Sequence, residues 1–269
     1  MIDKKQIDSI QEFVHAEPRT VQDIARHIDV NWKTAERYVD RIISEYGTIA
    51  KKQFRGSSQS SIKLVYWNTF SKTTDLIKEN LADRIQDART KFDFYSFEIF
   101  QYCDPKFREA NIVSWENSKF INNQMTELID KAKEEILFFS GNLSWINNDK
   151  IKNALKKAIN RGVTIRIISR LDVTTLNNYN ALEQISNKIE VRHREQPLRG
   201  MIVDSAFCQL KEIKLASMYK KGELASDIHI SYIVRDTEWV NFLRKIFFTM
   251  YNSAPETEKR LEALKMIKT

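Results

Sequence analysis

The chain has few residues that interrupt regular structure: six glycines and four prolines in 269 residues. No low-complexity run is present, so no disordered tail is expected. The two cysteines, Cys103 and Cys208, lie far apart and lack metal-ligand spacing. They are expected to be buried thiols, which suits a reducing, cytoplasmic setting. No stretch approaches the roughly 20 apolar residues of a membrane span. The opening MIDKKQIDSIQEF is charged and amphipathic, so no leader is expected either. Internal repeats are missing, and nothing in the sequence asks for a cofactor or a metal ion.

What is present begins with a length suited to about two domains. Hydrophobic residues make up 42%, and Lys+Arg exceed Asp+Glu by 43 to 36, a net charge of +7. That surplus favours an acidic partner. The charges of the first 68 residues nearly balance, however, so position matters there more than total.

The stretch VQDIARHIDVNWKTAERYVDRIIS, Val21 to Ser44, organises the rest. Val21, Ile24, Ala25 and Ile28 fall at i, i+3, i+4 and i+7, one stripe of a helix. Asn31 can cap a second helix in which Trp32, Ala35, Val39, Ile42 and Ile43 share the inner face. Lys33, Arg37, Asp40 and Ser44 then point outward, flanked by Thr34 and Arg41. This is the layout of a helix-turn-helix, with Trp32 to Thr34 meeting the groove, Arg37 reaching a guanine edge, and Lys33 and Arg41 on phosphates. A charged helix of no special function is the plain alternative, since Glu36, Asp40 and Glu45 lie on it too.

Gly47 ends that helix, and Thr48 to Asn68 reads as two strands around a Gly-Ser-Ser turn, the wing of a winged helix. Lys51, Lys52, Arg55 and Lys63 give it positive charge with no acidic residue, which suits a phosphate backbone. Ile7, Ile10, Phe13 and Val14 form a first helix, and Thr20 caps the second. Residues 1–68 are thus expected to bind double-stranded DNA through Trp32, Lys33, Thr34, Arg37, Arg41, Lys51, Lys52 and Arg55.

Residues 69–110 read as a helical linker with Leu76, Ile77, Leu81 and Ile85 on one stripe. Its aromatic end, Phe92 to Tyr102, is either packed within the chain or a contact in a homodimer. Residues 111–254 alternate strand and helix, the pattern of a parallel sheet with right-handed crossovers. Residues 255–269 form a last charged helix. The fold class is α/β.

The phrase LKKAINRGVTIRIISR, with IDKAKEEILFFSGN before it and RGMIVDS and SYIVRDTEWVNFLRKIFFTMYNSA after it, resembles one repeat of the phospholipase D-like fold. With the N-terminal module, the chain resembles archaeal-type TrmB-like transcription regulators, in which a winged helix is joined to a phospholipase D-like domain. Active phospholipase D-like proteins carry His-x-Lys-x-x-x-x-Asp. Here Asp204 keeps its place, but Arg199 stands at the lysine position and Pro197 at the histidine position. Proline has no nucleophile, so no phosphohistidine can form there, and no enzymatic activity is expected. His193 is the one histidine near enough to replace it, and a structural role for it is the expectation. The resemblance implies a pocket at the carboxyl ends of the strands, lined by Ser140, Asn142, Arg170, His193, Arg199 and Asp204. It suits a small polar or anionic effector, while a domain that only dimerises is the alternative. A phospholipase D-like nuclease or phosphodiesterase targeted by its winged helix is the reading from another class.

Overall fold

Thr20 and Asp23 lock the start of the helix-turn-helix. The Thr20 hydroxyl accepts from the Asp23 amide at 3.0 Å, and the Asp23 carboxylate accepts from the Thr20 amide at 3.0 Å. This reciprocal cap satisfies two amides that a helix start leaves free. In this computed structural model, which describes residues 2, 4–55, 61–68, 75–114, 118–219 and 224–267, the chain divides into two compact units. One comprises Met1–Thr73, Asn111–Trp115 and Ile213–His229; the other comprises Thr74–Ala110, Glu116–Glu212 and Ile230–Thr269.

The N-terminal module contains α1 (Lys4–Ala16), β1 (Arg19–Thr20), α2 (Val21–His27), α3 (Trp32–Glu45), β2 (Ile49–Arg55) and β3 (Ser61–Trp67). The strand order is β1-β3-β2, all antiparallel, so β3 forms the middle of a small sheet. This is a winged helix-turn-helix. The expected Gly-Ser-Ser turn lies outside the described residues. Ile7, Ile10, Val14, Ile24, Val39, Ile42 and Val65 form its core, and full burial of each such side chain is worth about 1.5–3 kcal/mol. One inward expectation is corrected. Trp32 is 43% exposed, and Tyr38 is buried in the stripe instead. The cause is the Asn31 cap, whose side chain accepts from the Thr34 amide at 2.9 Å and sets Trp32 as the first helical residue, at the exposed mouth of α3.

The larger sheet belongs to a longer series of elements. These are α4 (Asp75–Asp87), α5 (Phe97–Phe100), β4 (Arg108–Ser114), α6 (Ser118–Lys131), β5 (Glu135–Phe139), α7 (Asp149–Asn160) and β6 (Thr164–Ser169). Then follow α8 (Leu176–Glu183), β7 (Glu190–His193), β8 (Gly200–Val203), β9 (Phe207–Lys214), β10 (Ile228–Val234), α9 (Thr237–Ser253) and α10 (Thr257–Ile267). Seven strands run in the order β4-β10-β9-β8-β5-β6-β7. β5, β6 and β7 are parallel, and β8 returns antiparallel to β5. The chain is thus a winged helix-turn-helix followed by an α/β sheet domain. No helix among the described residues is long and apolar enough to cross a membrane.

Both faces of β5 are covered. Phe138, Ile136 and Met201 join Met125 and Ile129 of α6 and Leu155 of α7 on one side. On the other, Phe139 meets Phe247 of α9 edge to face at 5.3 Å. Trp239, Val240, Leu243, Ile246, Phe247 and Met250 of α9 are all buried within the chain. The aromatic stretch before β4 is also internal: Phe94, Phe97 and Phe100 are buried, and the Phe100 and Tyr232 rings lie 4.8 Å apart. Those rings therefore need no partner subunit to leave water. The Cys103 and Cys208 thiols are free and buried, and burial pushes both upward in pKa, so they behave as inert core groups.

Candidate functional site

Helix α3 presents Trp32, Lys33 and Arg37 outward, with Thr34 half-buried at their base. The Lys33 ammonium lies 5.7 Å from the Trp32 ring centroid, and the Arg37 guanidinium lies 5.7 Å from that of Tyr38. Aromatic support of this kind steadies a long cationic side chain without neutralising it. Arg41 is turned along the helix to Glu45 at 2.8 Å, an exposed i,i+4 pair. Such an exposed pair contributes little, and a phosphate can displace it.

The wing differs from expectation. Lys51 donates to Glu36 at 3.0 Å and pairs with Asp40 at 2.6 Å, while Lys63 also donates to Glu36. These cations staple β2 and β3 to α3 rather than standing out for a backbone. Glu36 shows the balance of forces. Burial alone would raise its pKa, but hydrogen bonds from Lys63 and Lys51 outweigh burial and hold it below the usual carboxylate value. Lys52 is half-buried, with its ammonium 5.7 Å from the Phe54 ring. The Arg55 side chain lies outside the described residues.

A second cluster forms where β5, β6 and β7 end and β8 begins. Phe139 of β5 faces Gly200 of β8, and Ser169 of β6 faces His193 of β7. Five of the six expected ligand residues therefore gather here: Ser140, Asn142, Arg170, His193 and Arg199. Ser140 is occupied locally, its hydroxyl accepting from the Trp145 indole at 3.0 Å and the Leu143 amide at 3.2 Å. Asn142 accepts from the Ser144 amide at 3.2 Å, and Arg170 pairs with Asp172 at 2.9 Å.

Asp204 is not in the cluster. Val203 pairs with Ile136 near the start of β5, so Asp204 lies at the opposite end of that strand. Its carboxylate accepts from the amides of Lys133, Glu134 and Glu135 at 2.7, 2.8 and 2.9 Å. Asp204 is a brace for the chain entering β5, and the expectation that it lines the pocket is corrected.

His193 Nδ1 accepts from the Leu171 amide at 2.8 Å. An amide can only donate, so Nδ1 is unprotonated and the neutral ring carries its proton on Nε2. Burial, and then the Arg260 charge, lower its pKa and keep it neutral near pH 7. In this state neither ring nitrogen offers a free lone pair to an electrophile.

Arg199 is half-buried. Its Nη1 donates to the carbonyls of Gln196 and Leu198, both at 2.7 Å. Gly141 leaves room for the guanidinium: a Cβ there would lie 2.6 Å from Arg199 Nε. Burial, with Arg170 second, draws the Arg199 pKa down to about 10, still far above neutrality.

No protein-family model matches the chain. No curated protein matches it by sequence. Among solved structures it is similar to TrmBL2, described as an archaeal chromatin protein with a novel mode of DNA binding. The identity is 15%, the coverage 94% of each chain and the TM-score 0.42. It is also similar to Nuc, a phospholipase D family member from Salmonella typhimurium, at 17% identity over 55% of this chain and 97% of Nuc, TM-score 0.41. NucT from Helicobacter pylori gives 14% identity over 55% of this chain and 99% of NucT, TM-score 0.42.

The sequence pattern missed Gln196 and Lys211. Gln196 lies in the loop that delivers Arg199, and Lys211 stands opposite Arg199 through β8 and β9 pairing. Only strand register brings Lys211 to this end, and no linear motif carries that information.

Proposed function

We propose that the chain is a sequence-specific DNA-binding transcription regulator that acts as a homodimer, with a non-catalytic sheet domain that pairs subunits or senses a small ligand. The observation that carries this reading is the first half of α3. Its outward residues are Trp32, Lys33 and Arg37, and the ion pairs of Glu36 and Asp40 fix the wing against it. A rigid helix with one forked donor and an exposed ring at its mouth is suited to base edges, whereas Lys33 and Arg41 suit phosphates. A single such module makes few base contacts, and two related by a twofold axis match a palindromic site. Two observations support the absence of catalysis: Pro197 at the nucleophile position and the amide held at His193 Nδ1.

Selection of bound duplexes from a random DNA pool, sequenced across a salt series, tests the proposal. Enrichment of a motif with two half-sites is the expected result. Salt-sensitive binding that selects no sequence would overturn it.

A further inference from the structure

We infer that the exposed face of α7 is a second contact for duplex DNA, one that holds the phosphate backbone outside the stretch read by α3. The inference rests on reading the chain as a DNA-binding protein. It goes further in giving the sheet domain a sequence-independent hold of its own.

The face follows from the pattern DKIKNALKKAIN. Ile151, Ala154, Leu155 and Ala158 are buried. Lys150, Asn153, Lys156, Lys157 and Asn160 therefore share the outer side, and all five are exposed. The one acid of the helix, Asp149, is paired with Lys152 at 3.1 Å. Lys156 and Lys157 make no ion pair among the described residues, and Lys150 donates to the Asn123 side chain at 3.3 Å. Just past the helix, Arg161 donates to the carbonyls of Ile129 and Ala132 at 3.0 and 3.2 Å, which fixes α7 against the end of α6. The adjoining α6 exposes Glu127 and Asp130 beside Lys131, so its outer side is mixed in sign where that of α7 is not.

A helix whose outer side served solvation alone would gain from a carboxylate three or four residues from each lysine. Here the residues four apart are Lys152 and Lys156, then Lys157 and Arg161, like charges that oppose the helix. Lys150 and Lys152 also stand in the first turn, where the helix dipole disfavours cations. Phosphates offset both costs. At 1.5 Å per residue, Lys150 and Lys157 are about 10 Å apart along the axis. That span lies between the widths of the minor and major grooves, about 6 and 12 Å. Flexible lysine stems can reach phosphates on both rims, and the Asn153 and Asn160 amides can donate to phosphate or sugar oxygens. The face has no free forked donor and no ring, so it reads no bases. α3 belongs to the other compact unit, which leaves α7 to take its own stretch of duplex.

Binding of the full chain to a selected site, with and without several helical turns of flanking duplex, is the test, read across a salt series. It uses the unsubstituted protein and a variant combining Lys150→Gln, Lys156→Gln and Lys157→Gln. A control combining Lys188→Gln, Lys259→Gln and Lys265→Gln removes the same charge from exposed positions elsewhere. Glutamine keeps helix propensity, and thermal denaturation confirms that each variant is folded. Flanks are expected to steepen the salt slope by about 2.7 per chain, about 0.9 for each of three phosphates. That adds about 40-fold to the affinity lost between about 50 and 200 mM salt. The α7 variant should lose this increment while keeping the affinity and sequence preference of the bare site, and the control should keep the increment. Flanks that add nothing, an increment that survives in the folded α7 variant, or an equal loss in the control would overturn the inference. Long duplex of random sequence separates the two readings. Sequence selection without any flank effect rejects the α7 contact alone. A pool that yields no motif, with random-duplex binding weakened by the α7 variant, keeps the contact and rejects the sequence-specific regulator.

Discussion

Asp204 and Ser205 turn the chain from β8 into β9 with φ of 50° and 52°, and the Ala206 amide donates to the Val203 carbonyl at 2.9 Å. Two left-handed residues open a three-residue loop, Asp204 to Ala206, between the paired Val203 and Phe207, and a left-handed position favours glycine. Ser205→Gly should therefore stabilise the protein by about 0.4–1 kcal/mol, measured by denaturant unfolding. Asp204→Ala should cost about 2–3 kcal/mol, because three backbone amides lose a charged acceptor. Equal stability of Asp204→Ala and the parent would show that the brace does not matter. Gly200 is stricter still: its φ is 150°, and a Cβ would lie 1.8 Å from the Gln209 carbonyl oxygen. The position of Asp204 was legible in the sequence but its job was not. Motif spacing cannot show that a four-residue strand separates it from Arg199. Lys211 was illegible for the same reason, since its neighbour is set by register.

At the scale of elements, helix existence was readable from apolar spacing and caps. Thr20, Asn31 and Gly47 mark the ends of α2 and α3 as the sequence suggested. The wing was readable as a hairpin, but its electrostatics were not. Lys51 reads as a phosphate contact and Lys63 as a further positive charge of the hairpin only until β2 and β3 pack beside α3, which brings Glu36 and Asp40 opposite them. Glu36→Gln should loosen that packing and should remove part of the acid sensitivity of the domain. The sign follows from its lowered carboxyl pKa. The folded form releases its proton more readily than the unfolded form. The stabilisation is therefore complete above the ordinary value of 4.5 and is lost as pH falls through the lower folded value. Thermal denaturation between about pH 3 and 7 should show a smaller acid-induced drop in the Gln variant. Lys51→Ala should lower stability and weaken binding to matched and scrambled duplexes alike, whereas Arg37→Ala should weaken matched DNA more. Equal losses on both duplexes for Arg37→Ala would move the reading face elsewhere.

For the whole molecule, the ion pairs of the wing bear on how many chains hold DNA. Each neutralised phosphate contributes about −0.9 to the slope of log affinity against log salt. Lys51 and Lys63 begin paired, so any counter-ion gain on meeting DNA is offset by the loss of Glu36 and Asp40. Under the proposed contacts, Lys33, Arg41, Lys52 and Arg55 on phosphates and Arg37 on a base, one chain would neutralise about four phosphates and give a slope of about −3.6. Two chains on one site give about −7. The burial of Phe94, Phe97 and Phe100 within the chain favours internal packing of that stretch over a dimer contact, so stoichiometry has to come from DNA itself. Binding to a selected duplex between about 50 and 200 mM salt should yield the steeper slope, and the same duplex cut to one half-site the shallower one. A slope near −3.6 on the full site would mean that one chain binds alone, and the homodimeric reading would fall while DNA recognition by α3 would stand.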